Sequence, residues 1–437
     1  MKKKNILLIA YYFPPIKAIG STRPYYFAKN LIKKNWDVSV ITTMSFKYLQ
    51  NDSFLVKLKQ IKYLYIPSFD LQVLKSIFQS RFQTNGKNES KMRNTSSKSK
   101  KTANRLFQKL RNSFPLNIAY EGGFLYVFFG LIWALYYMKK NNIKYIYSTY
   151  SPYSNHLIAY LIKLIYKDCY WIADFRDLPF GENDTEIFFK SFQMKMNELI
   201  CKKADALVTI SDGMKKSLLK YNKCIFTITN GLDIDMETLI EHQIKIKKGF
   251  NIVYTGMLYE GKRDATMVFK AVKLLLDRNK ITNNIKLIYA GNDGHLWKKW
   301  AIEHSLEKYI EIKGPISRKS AIELQNQASI NLMLTWATKK EKGILTGKLF
   351  EYLSTLNPIF CVINGIEDKE IENLFQSINC GKVFYNNETE ELSNNLYKIC
   401  KNYKYVYNFH ELEKYTYPYL TNGLESIFLN KDLLSER

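Results

Sequence analysis

A chain of 437 residues exceeds the size at which one hydrophobic core stops growing, so two domains are expected, and 46% apolar residues leave no shortage of core. Six scattered cysteines without a Cys-x-x-Cys pair, and five histidines without ligand spacing, argue against a disulfide framework and a zinc site and for a reducing compartment. The net charge of +25, part of it a general bias toward Lys and Asn, directs the surface toward anions: nucleic acid, an anionic membrane or phosphorylated substrates.

The first residues, Met1-Lys-Lys-Lys-Asn5 and then Ile6–Phe13, imitate the charged and apolar regions of a signal peptide. A small-residue cleavage site is missing and Pro14-Pro15 end the apolar run, so a first buried strand over 5–12 fits better. The loop Phe13–Arg23, a helix over 24–34 and a strand over Trp36–Thr42 complete one βαβ unit, with Gly20 where the loop enters the helix. The G-x-G-x-x-G fingerprint is absent, so no nicotinamide or flavin cofactor is expected. From about 46 to 118 the pattern degrades. Residues 81–117 read as a solvated basic insertion, either a tolerated surface loop or a contact with anionic lipid headgroups. Phe124–Met138 is an apolar, aromatic run ending in Lys139-Lys140, shorter than the roughly 20 residues that span a bilayer. It reads as a buried helix or, beside the basic insertion, as a face that touches a membrane without crossing it.

Strands and helices then alternate. Strands are expected over Ile143–Thr149, Tyr170–Ala173, Ala206–Ile210 and Ile225–Ile228, and helices over His156–Tyr166, Phe188–Lys202 and Gly213–Lys220. The third of these strands ends in Ile210-Ser211 and the fourth in Thr229-Asn-Gly-Leu-Asp233. Residues 1–235 are thus an open, doubly wound α/β domain, 236–249 a polar linker, and 250–405 a second domain of the same design. In that second domain strands are expected over 251–254, 285–290, 310–312, 330–335, 358–362 and 382–384, with helices over 264–278, 296–305, 317–326 and 389–402. Residues 406–437 are expected to return as a C-terminal helix toward the first domain.

The stretch Lys342-Gly-Ile-Leu-Thr-Gly-Lys-Leu-Phe-Glu-Tyr-Leu353 sets a glycine-bearing turn before a helix that carries Lys348 and, one turn in, Glu351. Unpaired N–H groups at a helix start attract phosphate, and a carboxylate accepts the paired hydroxyls of a ribose. Alone, the stretch reads equally as a helix packing Leu349, Phe350 and Leu353.

Five stretches in order resemble glycosyltransferase family 4: the Pro-Pro loop with Gly20, Asp174-Phe-Arg-Asp177, Ile210-Ser211 with Thr229–Asp233, Tyr254–Lys262, and Gly343–Leu353. The resemblance implies a GT-B fold, two Rossmann-like doubly wound domains facing a central cleft. It also implies a nucleotide-sugar donor, a lipid-linked or polysaccharide acceptor of a bacterial surface glycan, retention, and no metal or other cofactor. The protein would then be cytoplasmic and peripheral on the inner membrane face, with an anionic membrane surface as a partner. A nucleic-acid partner is not expected, because the basic insertion carries only Phe82 and Phe107 for stacking. An inactive GT-B subunit acting as a membrane-bound partner in polysaccharide assembly is the alternative.

In the family's Gly-Arg-x-x-x-x-Lys arrangement, Gly256 and Lys262 match while Met257 replaces the arginine. Lys262 is therefore the expected stabiliser of the leaving diphosphate. Arg263 either substitutes for the missing guanidinium or is a solvated residue at a helix start. Of the family's Glu-x7-Glu pair, Glu351 matches the ribose-holding member and Gly343 stands in the first position, with Glu341 two residues upstream. Thr346, Gly347 and Lys348 form the helix start on the donor side, and Gly20 would bring N–H groups from the opposite wall. On the acceptor side the candidates are Arg23, His156, Asp174, Arg176 and Asp177. His156 reads as a general base or sugar contact facing the cleft, or as a helix cap. The Asp174–Asp177 cluster reads as an acceptor or phosphate contact, or as a structural ion-pair network. Asp233-Ile-Asp235 reads as structural.

Overall fold

Continuous runs of β-branched and aromatic residues make strands that are covered on both faces, as parallel sheets require. In the computed structural model, which describes residues 3–16, 18–44, 57–71, 97–182, 186–232, 249–281, 284–339, 341–343 and 345–429, these runs form two all-parallel sheets. The chain divides into one unit of Met1–Ile228 with Thr421–Arg437 and another of Thr229–Leu420.

The first sheet contains β1 (Lys4–Ile9), β2 (Trp36–Thr43), β3 (Lys62–Ile66), β4 (Tyr145–Tyr150), β5 (Tyr170–Phe175), β6 (Ala206–Thr209) and β7 (Ile225–Thr227), in the order β3-β2-β1-β4-β5-β6-β7. Ile6 is registered with Val38 on one side and Tyr145 on the other, so β1 is central. The second sheet contains β8 (Phe250–Thr255), β9 (Ile285–Ala290), β10 (Ile310–Ile312), β11 (Ile330–Ala337), β12 (Ile359–Gly365) and β13 (Gly381–Tyr385), in the order β10-β9-β8-β11-β12-β13. Strand order reverses between β1 and β4 and again between β8 and β11. Loops leaving the carboxyl ends of strands at such reversals are where open α/β sheets bind ligands. Among the described residues, β8 and β11 are registered only at Ile252–Ile330 and Val253–Asn331, ahead of the ends from which those loops emerge.

Element boundaries differ from the sequence expectation by a few residues, and three regions differ in kind. Within 46–118 the chain forms β3 and the helices Ser97–Asn112 and Leu116–Tyr120. The solvated loop expected for 81–117 is thus corrected for 97–117, while 81–96 lies outside the described residues. Basic composition masked the helical spacing of Leu106, Phe107 and Leu110. A helix over Lys369–Ile378, capped by Asp368 through the N–H groups of Glu370 and Ile371, was not anticipated. The closing helical stretch splits into Phe409–Glu413 and Tyr417–Leu429. Residues 236–248 of the expected linker, and Asp233 and Asp235, lie outside the described residues.

The apolar run becomes an 18-residue helix, Phe124–Asn141. One face, with Tyr126, Gly130, Ala134 and Met138, is buried in the core. Gly130 allows close approach to the Tyr153–Ile165 helix, since a Cβ there would stand 2.8 Å from Ile158 Cδ1. The opposite face exposes Phe124, Phe128, Ile132, Trp133 and Tyr136. No helix among the described residues is long and apolar enough to cross a membrane. At the amino ends of the first sheet, Glu425 of the C-terminal helix accepts hydrogen bonds from Lys34 Nζ at 2.7 Å and Trp36 Nε1 at 2.8 Å. Phe428 packs there against Trp36, Tyr145 and Tyr170.

Candidate functional site

Three cations gather at the reversal point of the second sheet. β8 ends in the loop Gly256–Lys262, whose first residue has φ +111. Glycine is required here for a second reason: a Cβ would overlap Nζ of Lys348. Lys348 comes from the helix Gly347–Leu353 and sets its ammonium 4.9 Å from the Tyr254 ring centroid. Burial, reinforced by the nearby Arg263 charge, pushes its pKa down to about 7. Arg263 is 7% exposed and donates through one terminal nitrogen to Met257 O at 2.9 Å. Its guanidinium packs 4.7 Å from the Tyr259 ring and 5.4 Å from Trp336, and its buried Nε has no partner among the described residues. The solvated alternative for Arg263 is therefore corrected, because two aromatic rings cover it. Lys262 is exposed, 4.5 Å over Trp336 and 3.8 Å from Glu341 Oε2. Asn364, at the end of β12, anchors the loop by donating to Lys262 O at 2.9 Å.

Glu351 sits one turn into the same helix, with Oε1 3.4 Å from Arg318 Nε and Oε2 3.5 Å from Gln325 Nε2. Gln325 also donates to Thr255 Oγ1 at 2.9 Å, and its Oε1 lacks a partner among the described residues. Thr346 precedes the helix without a side-chain cap bond, and a Cβ at Gly347 would meet nothing within 4 Å. At seven residues this helix has little macrodipole, so the charge of the site comes from Lys348, Arg263 and Lys262 and not from the helix start. Gly343 has φ +68, and the place of its absent side chain is occupied by the carboxylate of Glu370. Arg318, Gln325 and Glu370 carried no signal in the sequence, since each reaches the site from an element remote in the chain.

The acceptor-side candidates belong to the first unit and do not form one cluster. Arg23 and Asp174 pair with each other at 2.9 Å, at 1% and 0% exposure. Asp174 also accepts from Thr149 Oγ1 at 3.0 Å, and Arg23 donates to Ile228 O at 2.8 Å. Arg23 is thereby corrected from a substrate contact to a structural residue, and of the two readings of Asp174 the structural ion pair holds, with Arg23 as its partner in place of Arg176. His156 is corrected too. Its helix begins at Tyr153, which turns the ring into the core at 1% exposure, 2.7 Å from Ser148 Oγ and 4.6 Å from the Phe175 ring. Burial pushes its pKa down to about 3, so it is a neutral core residue without access to substrate. Asp177 is exposed. Arg176 remains at the reversal point of the first sheet, donating to Tyr150 O at 2.7 Å and Ser151 O at 2.9 Å. Gly20, the second residue of the helix Ile19–Lys33, makes room for it, since a Cβ would lie 2.8 Å from an Arg176 terminal nitrogen. Glu121, unread in the sequence, accepts from Ser151 Oγ at 3.4 Å, and burial raises its pKa.

No protein-family profile and no curated protein matches the chain. Solved structures do match it. A lipopolysaccharide outer core galactosyltransferase, WaaB, is 13% identical with TM-score 0.55, covering 98% of this chain and 99% of that one. A trehalose-6-phosphate protein from E. coli, described as bound with UDP-2-fluoro glucose, is 9% identical with TM-score 0.56 over 99% and 98%. A glycosyltransferase from Rickettsia africae ESF-5 is 12% identical with TM-score 0.51 over 98% of each chain.

The fold is GT-B.

Likeness at this identity is a likeness of fold, and function has to be argued from the residues. Within the GT-B frame the cations Lys262, Arg263 and Lys348 stand at the carboxyl edge of the second Rossmann-like sheet, where the strand order turns.

Proposed function

We propose that the protein is a nucleotide-sugar-dependent glycosyltransferase that moves a hexose onto a lipid-linked or polysaccharide acceptor in bacterial surface glycan synthesis (lipopolysaccharide, O-antigen or capsule). One observation carries the reading. The Lys348 ammonium and a terminal nitrogen of Arg263 both stand 3.5 Å from Tyr254 Oη, and Lys262 and Arg263 share the Trp336 ring. Like charges crowded at a ligand-binding edge are relieved by an anion, and a diphosphate leaving group supplies one whose charge grows during transfer. Three fixed cations also perform the neutralisation that a divalent metal otherwise supplies, so the proposed reaction calls for no metal. Donor binding is assigned to Gly256, Lys262, Arg263, Thr346, Gly347 and Lys348 for the diphosphate and to Glu351 for the ribose. Gly20, Arg176 and Asp177 are the contacts proposed for the first domain. Retention of configuration is proposed on the family resemblance. The neighbouring galactosyltransferase of the lipopolysaccharide outer core supports a surface-glycan role.

The exposed stripe of the Phe124–Asn141 helix, ending in Lys139 and Lys140, supports a peripheral position on the inner face of the membrane, where a lipid-linked acceptor resides. A thermal-shift panel of UDP-, GDP- and dTDP-sugars identifies the donor, since a ligand at roughly 100 times its dissociation constant stabilises by about 2.7 kcal/mol. Glu351→Ala is expected to abolish donor binding and turnover while the protein stays folded. Wild-type turnover in that variant overturns the proposal. Met257, 47% exposed where the family carries its arginine, favours a second reading, a GT-B subunit of little activity within an assembly complex. Donor hydrolysis or transfer by the purified chain removes that reading.

A further inference from the structure

The turn Glu121-Gly122-Gly123 joins the helix Leu116–Tyr120 to the helix Phe124–Asn141 and is packed tightly in place. Both glycines have positive φ. A Cβ at Gly122 would overlap Ser154 Oγ, and one at Gly123 would stand 2.7 Å from Phe69 O. Asp70, 1% exposed, accepts from the N–H of Gly122 at 3.2 Å and from Tyr11 Oη at 2.5 Å. So held, Glu121 turns its carboxyl to the crevice where the strand order of the first sheet reverses. The hydroxyls that donate to it follow the two strands bounding that crevice, Tyr12 after β1 and Ser151 after β4, the latter at 3.4 Å. Arg176, after β5, donates to the backbone oxygen of the same Ser151. Burial raises the Glu121 pKa and nearby Asp70 adds to the rise, while Tyr12, Arg111 and Arg176 pull the other way.

A carboxylate has about four acceptor positions, and two hydroxyls leave some of them for a ligand. The helix that follows leads away from this edge, since its last residue, Asn141, accepts from Asn5 Nδ2 at 2.7 Å at the amino end of β1. Its exposed stripe therefore starts beside Glu121, with Phe124 and Phe128, and the exposed Phe69 borders the same turn. A polar seat at the head of an apolar track fits a molecule with a hydroxyl-bearing head and an apolar tail. We infer that Glu121 binds the acceptor, its carboxylate receiving hydroxyls of the sugar to be extended while the acceptor's lipid leaves over Phe124 along the stripe. The inference rests on the glycosyltransferase reading. Within it, a lipid-linked acceptor is chosen over a free polysaccharide, which has nothing to lay on the stripe.

The test is calorimetry on the full chain with n-octyl glucoside, galactoside and mannoside below their micelle concentrations, each beside its methyl counterpart. Wild type is expected to bind at least one octyl glycoside, about tenfold or more tighter than the methyl glycoside, through burial of the alkyl chain. Glu121→Gln, which preserves size and removes the charge, is expected to lose about tenfold on both, the weight of one charge-assisted hydrogen bond. Its melting temperature and its affinity for the UDP-, GDP- or dTDP-sugar that binds wild type are expected to be unchanged. Phe124→Ser is expected to shrink the octyl advantage and to leave the methyl glycoside affinity as it was. Glycoside affinities equal in wild type and Glu121→Gln, a loss shared by the nucleotide-sugar, an octyl advantage intact in Phe124→Ser, or a wild type that binds no glycoside each overturn the inference. Those outcomes leave the glycosyltransferase reading to stand on donor binding and turnover. Wild type that binds no nucleotide-sugar overturns both.

Discussion

At the scale of the residue, the most informative group is Lys348. Its pKa in the folded protein is about 7, against about 10.4 for a lysine in an unfolded chain. Between those values the unfolded chain binds more protons, so stability rises with pH through the window and the lysine penalises the fold as pH drops toward 7. An anion bound beside it reverses the preference by favouring the ammonium. Diphosphate affinity is therefore expected to strengthen as pH falls toward about 7 and to level off beneath it, with proton uptake visible as a buffer-dependent binding heat. Lys348→Met should flatten both profiles; an unchanged binding profile in that variant would remove Lys348 from the site. The Arg23–Asp174 pair carries the opposite expectation. Asp174→Ala leaves a buried guanidinium without its counter-charge and is expected to cost about 3–5 kcal/mol, read from the denaturation midpoint. A loss below 1 kcal/mol would show that the pair is not structural. Sequence reading found both residues, yet it could not see that Asp174 meets Arg23 across 151 positions and not its neighbour Arg176. Which helix residue meets which strand residue is a property of how the elements pack on the sheet, and that packing is not written in any local pattern.

At the scale of the element, legibility followed periodicity. β9 and β10 came out of the sequence at their observed bounds, because runs this short and rich in isoleucine between polar turns are too brief for a helix. The Lys369–Ile378 helix escaped notice between two strands, and Glu370 with it. The Phe124–Asn141 helix was ambiguous because it is apolar all round, which fits burial or membrane contact alike. Its structure divides the two uses by face: Tyr126, Gly130, Ala134 and Met138 pack inward, and Phe128 and Trp133 point to solvent at 59% and 47% exposure. Replacing both exposed aromatics with serine is expected to leave stability within about 0.5 kcal/mol, since neither side chain contributes to the core. The same change is expected to weaken binding to vesicles of phosphatidylcholine and phosphatidylserine at least tenfold in a sedimentation assay. Unaltered vesicle binding would sink the membrane assignment for this helix.

At the scale of the whole molecule, alternation of strand and helix was legible outside 46–118 and the Lys369–Ile378 helix, because a parallel strand buried on both faces is a nearly continuous apolar run. The same alternation, repeated after a polar stretch, announced two Rossmann-like domains. Net charge is the other property that belongs to the entire chain, and it separates two of the anionic partners that composition allowed. A basic surface acting on a membrane works through screened attraction, roughly 1 kcal/mol per base near the lipid, whereas the aromatic stripe works through burial that salt does not weaken. Raising ionic strength from about 0.05 M to about 0.5 M shortens the screening distance from about 14 Å to about 4 Å. Binding to anionic vesicles is therefore expected to fall steeply over that range to a salt-resistant remainder. The remainder should vanish when Phe128 and Trp133 are serine. Double-stranded RNA has the same phosphate charge but keeps its bases stacked inside the helix and offers nothing to the stripe, so its binding should fall to zero over the same range, with no remainder. If RNA and vesicles lose affinity in parallel and to the same end point, the charge is a general bias of the chain and the stripe does not meet lipid.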